Sequence, residues 1–455
     1  MVKRISVSSA RSSRQPRFRA ERAMHFALRG YLFVVLTALL GVAGMWADDP
    51  AFSGAWLWPA SLLLAGLALE AWYLHRTRVS VRTHFDSALK LGRPVAGAFA
   101  FQHNRRRDLT LQYARVLPPA LLQGTEVRSV VLPPEEETRD ELQLLPIRLG
   151  ADRLGDVPAR LLGRFRLAWW SLRIPQDRAL TVSPDSLARG ARLSAGEAAG
   201  ETPRRLPGSG VELLQLRDFA PGDGLSRIDW KATARRGALV SREYSEAQHL
   251  EILLVIDAGR ASRVRAGDLD RLGLYANVAA RLAEQAVSAD DRAGLLVYAD
   301  RALMAIPPDH GVRAVSRLRQ ALATLRSERG EPDPVAAALT VRRLLRHRGL
   351  VVWLTDLAEP ARNEALLQAL KVLVPRHQPI VASPHAAEIT RLASMPASDW
   401  RDPAMAIAAR EHARRSREQI ARLERGGVVV LDEPEDKLDR AVLDAYLKLR
   451  RRRRV

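Results

Sequence analysis

Two uncharged stretches stand almost back to back near the start of the chain. Gly30–Ala47 and Ala51–Leu69, 18 and 19 residues long, carry no ionisable acid or base, and only Asp48-Asp49-Pro50 divides them. About 20 apolar residues in a helix cross the ~30 Å hydrocarbon layer of a bilayer. Trp46, Trp56, Trp58, Trp72 and Tyr73 lie near the ends of the two runs, where amphipathic rings settle at headgroup level. A helix packed in a soluble core usually keeps a polar stripe, and these runs have none. A cleaved leader would have a short basic region and no second span directly after it. The sequence therefore predicts a two-helix transmembrane hairpin over 30–74.

The flanking charges orient it. The arm 1–29 carries Lys3, Arg4, Arg11, Arg14, Arg17, Arg19, Arg22 and Arg29 against the single acid Glu21; His75, Arg76, Arg78 and Arg82 follow the second run. The loop between the runs offers only two acids. Basic flanks stay on the cytoplasmic side, so both termini and every later domain are expected there.

At 455 residues the chain is too long for one core, and two or three domains are expected. It contains no cysteine, which excludes disulfides, thiolate metal sites and thiol catalysis. The net charge of +20 gathers in the arm and in the tail Lys448–Arg454. Such runs attract phosphates of nucleic acid or lipid, or stand solvated. No aromatic stacking platform accompanies either, so nucleic acid is not expected as a partner.

Between 79 and 185 the pattern turns to short alternating runs such as VSVRTHF, PVAGAFAF and LTLQYARV, separated by turn residues. This predicts an antiparallel, sandwich-like β domain. Trp169-Trp170 is read as one core ring and one edge ring, with a binding platform as the alternative. Residues 186–207, rich in Ala, Gly and Arg, read as a linker. From 250 to 433 near-continuous apolar runs (LEILLVID at 250–257, AGLLVYA at 293–299, LVVWLTD at 350–356, PIVAS at 379–383, GVVVLDE at 427–433) alternate with helical patterns. That is the signature of a doubly wound α/β sheet. A C-terminal helix and basic tail fill 434–455.

The segment 208–249 is the densest in charge: Arg217, Asp218, Asp223, Arg227, Asp229, Lys231 and Arg235 surround Trp230, with a Pro221-Gly222-Asp223 turn. Alternating signs point to paired charges. Two readings stay open, an inter-domain brace anchored by a buried Trp230 and a partner-docking surface. A third would use Asp218, Asp223 or Asp229 as catalytic acid/base groups. No phosphate loop, zinc-protease helix or nucleophile elbow occurs, so no catalytic residue, cofactor or small-molecule substrate is assigned and the chain is not expected to be an enzyme.

The run LRDFAPGDGLSRIDWKATARRGALVSREYSE, with Arg217, Pro221-Gly222-Asp223, Arg227, Asp229-Trp230-Lys231, Arg235 and Glu246, resembles the bacterial "domain of unknown function 58" family. The resemblance implies a bacterial inner-membrane protein with two spans, a β-rich region and a von Willebrand A-like α/β domain. It also implies association with MoxR-type AAA+ ATPases, hence a membrane-tethered adaptor in a chaperone-like assembly role; an envelope scaffold without an ATPase partner is the rival. Von Willebrand A domains commonly hold Mg²⁺ through an Asp-x-Ser-x-Ser loop, a Thr and a second Asp, all hard oxygen ligands. Here Asp257 and Asp356 stand at strand ends, but Gly259 and Ala261 replace both hydroxyls. The site is degenerate, and Mg²⁺ is a poorly supported cofactor.

Overall fold

The computed structural model describes residues 24–46, 53–122, 126–186, 206–208, 212–246, 249–357, 360–385, 387–394 and 400–452. The predicted linker up to residue 205, most of the basic arm and the loop between the apolar runs fall outside them. The architecture is mixed α/β in two compact units. The first takes the described residues up to Leu89 with Pro94–Pro146 and Ala151–Thr181; the second takes Lys90–Arg93, Ile147–Gly150 and the described residues from Val182 onward.

The first unit opens with a short strand, β1 (Met24–Phe26), then helix α1 (Leu28–Gly44) and helix α2 (Leu57–His75). Among the described residues α2 alone is long and apolar enough to cross a membrane; α1, at 17 residues, is a shorter apolar helix. Both are sheathed in exposed apolar side chains, among them Leu32, Val35, Leu39, Leu62, Leu64 and Leu69. Their hydroxyls turn inward on their own turns: Thr37 donates to the Phe33 carbonyl (2.7 Å) and Ser61 to that of Trp58 (2.9 Å).

Ten further strands follow: β2 (Val79–His84), β3 (Ala88–Lys90), β4 (Val95–His103), β5 (Leu109–Ala114), β6 (Val127–Leu132), β7 (Thr138–Leu144), β8 (Gly150–Leu154), β9 (Val157–Leu162), β10 (Ala168–Ile174) and β11 (Arg178–Ser183). They form antiparallel sheets in the orders β1-β10-β9-β5-β6 and β2-β4-β7, with a short β3-β11-β8 sheet. The core alternation is visible in β5, where Leu109, Leu111 and Tyr113 are buried while Thr110 and Gln112 are only half so. Strand β1 lies in the stretch read as a basic arm and pairs Met24–Phe26 with Trp170–Ala168. Neither Trp169 nor Trp170 is a core ring; both are half-buried.

The second unit begins with β12 (Leu206–Gly208), β13 (Glu212–Asp218), helix α3 (Trp230–Arg236) and β14 (Val240–Glu246), then β15 (Glu251–Asp257). A small hairpin, β16 (Arg265–Ala266) and β17 (Leu269–Asp270), leads into α4 (Arg271–Ser288) and β18 (Arg292–Tyr298). After these come β19 (Ala302–Asp309), α5 (Gly311–Ala323), α6 (Pro334–Leu344), β20 (Leu350–Leu354), α7 (Pro360–Leu373), β21 (Gln378–His385), α8 (Ala387–Ser394), α9 (Asp402–Arg425), β22 (Val429–Pro434) and α10 (Leu438–Arg452).

Six strands make one sheet, β19-β18-β15-β20-β21-β22, parallel except for β19. The apolar runs of β15 and β20 are buried throughout because both sheet faces are covered. On one face Leu254 and Ile256 meet Tyr275, Ala279 and Leu282 of α4, Leu318 of α5, and Leu438, Val442 and Tyr446 of α10. On the other, Val255 and Trp353 meet Val341 of α6, Leu366 and Leu370 of α7, and Leu423 of α9. The Trp353 indole donates to Tyr298 Oη at 2.9 Å inside that face.

Helix α10 is not a loose basic end. The buried Asp291 carboxylate accepts from the Leu250 backbone N–H (3.1 Å), Tyr446 Oη (2.6 Å) and Arg450 Nε (2.9 Å). Nearby, Asp185 pairs with Arg93 (2.7 Å) and Arg281 (2.6 Å), and Arg281 also pairs with Asp439. Arg450 therefore belongs to the fold, although it reads as tail in the sequence.

Candidate functional site: the charged segment and the strand ends

Strands β13 and β14 pair antiparallel, with Arg217 opposite Ser241 and Asp218 opposite Val240. Between them the chain turns at Pro221–Gly224, where Gly222 takes φ 114°, a value that glycine tolerates and side chains resist. A 3-10 turn (Leu225–Arg227) and α3 follow. Asp229 caps α3 by accepting the Ala232 N–H at 3.0 Å, and Gly237 closes it at φ 71°. Ile228 and Val240 are buried beneath.

The charges are spent on shaping this module. Arg217 bridges Asp223 (2.6 Å) and Glu243 (3.3 Å), and the second Asp223 oxygen accepts the Ala220 N–H at 3.0 Å. Asp229 pairs with Arg242 at 2.9 Å while it caps the helix. The Arg217 guanidinium holds the Asp223 carboxyl below the usual carboxylate range; the Ala232 N–H, then Arg242, does the same for Asp229. Carboxylates kept ionised in this way are poor general acids at neutral pH. Asp218 is exposed, with Arg236 at 3.9 Å. Glu246 ends β14 opposite Leu206.

Trp230 corrects the expectation of a buried anchor. It is the first residue of α3 and is 66% exposed, as are Leu225 (75%) and Leu239 (45%). The module holds itself together by its turn, cap and ion pairs, so the indole is not needed inside. Arg227, Lys231, Arg235 and Arg236 are exposed as well.

At the C-terminal ends of the parallel strands, Asp257, Tyr298, Pro332, Thr355, Asp356 and Asn363 line a cavity of about 210 Å³. Strand order reverses between β15 and β20, and crevices at such a point are where open α/β sheets receive ligands. Asp257 accepts the Gly259 N–H and the Thr355 hydroxyl, each at 2.8 Å. Asp356 pairs with Arg271 at the start of α4, and Arg260 pairs with Glu331 at 2.5 Å. A Cβ on Gly259 would stand 3.0 Å from Pro332, so the first loop is closed where a hydroxyl ligand would sit. The donor set does not fit a divalent cation, because a guanidinium already faces the second carboxylate. Among the described residues no cluster of three acids, histidines or cysteines could hold a metal.

Two contributors escaped the sequence reading. Thr355 directly follows β20 and could have been found by asking which hydroxyl adjoins a strand-end aspartate. Arg271 carries no such signal, since its partner lies 85 residues away.

A family profile described as "Protein of unknown function DUF58" matches residues 215–426, from the charged segment to the end of α9. The chain is similar to the uncharacterized proteins Rv1480 of Mycobacterium tuberculosis and Mb1516 of Mycobacterium bovis, 28% identical over 184 residues in each case. That match takes in 38% of this chain and 57% of each relative's length. Among solved structures it is similar to the conserved hypothetical protein BatB of Bacteroides thetaiotaomicron, at 14% identity and TM-score 0.29, over 44% of this chain and 99% of that one. The segment from Gln215 to Gly426, which holds both the Trp230 module and the strand-end carboxylates, belongs to the DUF58 family.

Proposed function

We propose that this chain is a non-enzymatic, membrane-tethered adaptor whose second unit presents the Trp230 module to a cytoplasmic protein, a MoxR-type AAA+ ATPase. The observation that carries the reading is the division of labour within the module. Asp223 and Asp229 are consumed by Arg217, Arg242 and backbone donors, whereas Trp230 and four cations face outward. Exposed tryptophan and arginine are the residue types that dominate binding hot spots. ATP hydrolysis would belong to the partner.

In the same reading α1 and α2 both span the bacterial inner membrane, and the six-stranded domain is von Willebrand A-like and works without Mg²⁺. The apolar sheath around both helices supports two spans, since such surface is stable only against lipid or another apolar partner. The strand order and the strand-end position of Asp257 and Asp356 support the domain type.

Co-purification from detergent-solubilised membranes tests the adaptor role. Trp230→Ala should leave thermal stability nearly unchanged, because an exposed side chain contributes little, within about 0.5 kcal/mol, while abolishing capture of the ATPase. Arg235→Glu should weaken capture with the fold intact. Full capture by Trp230→Ala removes the module from the interface.

A further inference from the structure

We propose that loops 104–108 and 163–167 of the first unit form a docking platform for the anionic phospholipid headgroups of the membrane that α1 and α2 cross, with Phe165 seated at the edge of the acyl layer. The inference rests on reading those helices as spans.

It starts from Glu70, the one acid in α2 and a wholly buried side chain. Its carboxylate accepts the backbone N–H groups of Phe165 (2.7 Å), Leu167 (3.2 Å) and Ala168 (3.3 Å) and the Trp170 indole (3.4 Å). The β9–β10 turn is thereby fastened to the helix. Gly163 makes the approach possible, since a Cβ there would lie 2.0 Å from the carboxylate. The Leu167 carbonyl accepts the Ala27 N–H at 2.8 Å and leaves no room for a Cβ on Gly30, so the turn is also pressed on α1.

What the turn holds out is Arg164-Phe165-Arg166. All three are exposed, Phe165 by 42%, and Arg166 sits at φ 60°, a costly angle for a non-glycine residue. Glu70 precedes the last residue of α2 by five positions, about 7.5 Å of helix. The headgroup layer is about 5–7 Å thick on each side. With the end of α2 at the water boundary, the turn reaches the level where headgroups give way to acyl chains, and an arginine–phenylalanine–arginine tip suits that level.

The second loop meets the very end of α2. Arg105 lies over the Tyr73 ring, bonds Thr77 Oγ1 at 2.9 Å and caps the Tyr73 carbonyl, while Asn104 accepts the Arg78 N–H at 2.9 Å. Arg106 and Arg107 are left exposed beside one acid, Asp108. Arg29, Arg76 and Arg78 at the helix ends are exposed too. Cations concentrated at the mouth of a helix pair complement an anionic leaflet.

The absence of cysteine permits a direct test on the full-length chain. Phe165→Cys carrying an environment-sensitive fluorophore is reconstituted in nanodiscs of phosphatidylcholine, with or without phosphatidylglycerol, and quenched by brominated lipid or aqueous iodide. A Leu64→Cys label reports on the span. Lipid quenching at 165 should rise with phosphatidylglycerol, and that increment should be lost in Arg164→Glu/Arg166→Glu. A 165 label open to iodide in both lipids, with the 64 label lipid-quenched, refutes the platform and leaves the spans standing; such a tip would be free to meet an acidic protein instead. Equal lipid quenching at 165 with and without phosphatidylglycerol refutes headgroup recognition. A 64 label open to iodide refutes the spans and the platform together.

Discussion

Replacing Asp291 with alanine tests how the last helix is joined to the α/β domain. The carboxylate is buried and serves three donors at once: the Leu250 N–H at the entry to β15, the wholly buried Tyr446 hydroxyl, and Arg450 on the last turn of α10. Each buried donor left without its acceptor costs about 1–3 kcal/mol. Arg450 keeps slight contact with water and loses less than a fully buried charge would. Together the loss should come to about 3–5 kcal/mol, the range for breaking a buried pair from one side. Asp291→Asn keeps one acceptor oxygen and should lose roughly half as much. Urea unfolding of the detergent-solubilised chain, followed by far-ultraviolet circular dichroism, reads the difference as a lower midpoint at unchanged slope. Limited trypsinolysis should release α10 from Asp291→Ala before the rest of the domain is cut. A stability within about 1 kcal/mol of the native chain, with α10 still protected, would show that apolar packing alone holds this helix.

Arg271→Ala should destabilise the same domain by about 3–5 kcal/mol by removing the cation that faces Asp356; a native urea midpoint would remove Arg271 from the account. Magnesium should leave the native midpoint where it is, and a rise saturating at millimolar metal would show that the strand-end carboxylates bind it after all. Asp223 and Asp229, both held below the ordinary 3.8, add stability that is present above that value and is lost as pH falls through their folded midpoints. Carboxyl ¹³C titration should place both midpoints below 3.8, and a raised midpoint at either would contradict the ion pairs. Glu70→Ala should expose the β9–β10 turn of the reconstituted chain to trypsin at Arg164 and Arg166, and digestion identical to the native pattern would show that the carboxylate does not fasten the turn.

Much of this was legible in the residues. The apolar runs of β15, β18, β20 and β21 announce themselves because a strand buried on both faces cannot alternate, and Asp257 marks an end by interrupting one. The Pro-Gly-Asp turn and the glycine after Arg236 fix the module between β13 and β14. What was not legible depends on distant partners. Strand β1 hides among arginines because its three residues gain strand character only from β10. The antiparallel edge strand β19 was not expected, because two prolines close its short apolar run and its pairing depends on β18. Trp230 was expected inside on the strength of its type, yet caps and ion pairs can stabilise a small module without a core ring. Glu70 read as the residue that ends an apolar stretch, and nothing local says that it reaches a turn almost a hundred residues on.

The place of α10 in the core has a consequence for synthesis. Leu438, Val442 and Tyr446 complete one face of the sheet, and they are made long after β15, which they help to cover. A chain emerging N-terminal end first at about 5–20 residues per second exposes β15 well before that face can close. A nascent or truncated chain that lacks α10 displays an open apolar sheet face that proteases and chaperones can recognise. Only chains that include α10 acquire the finished domain.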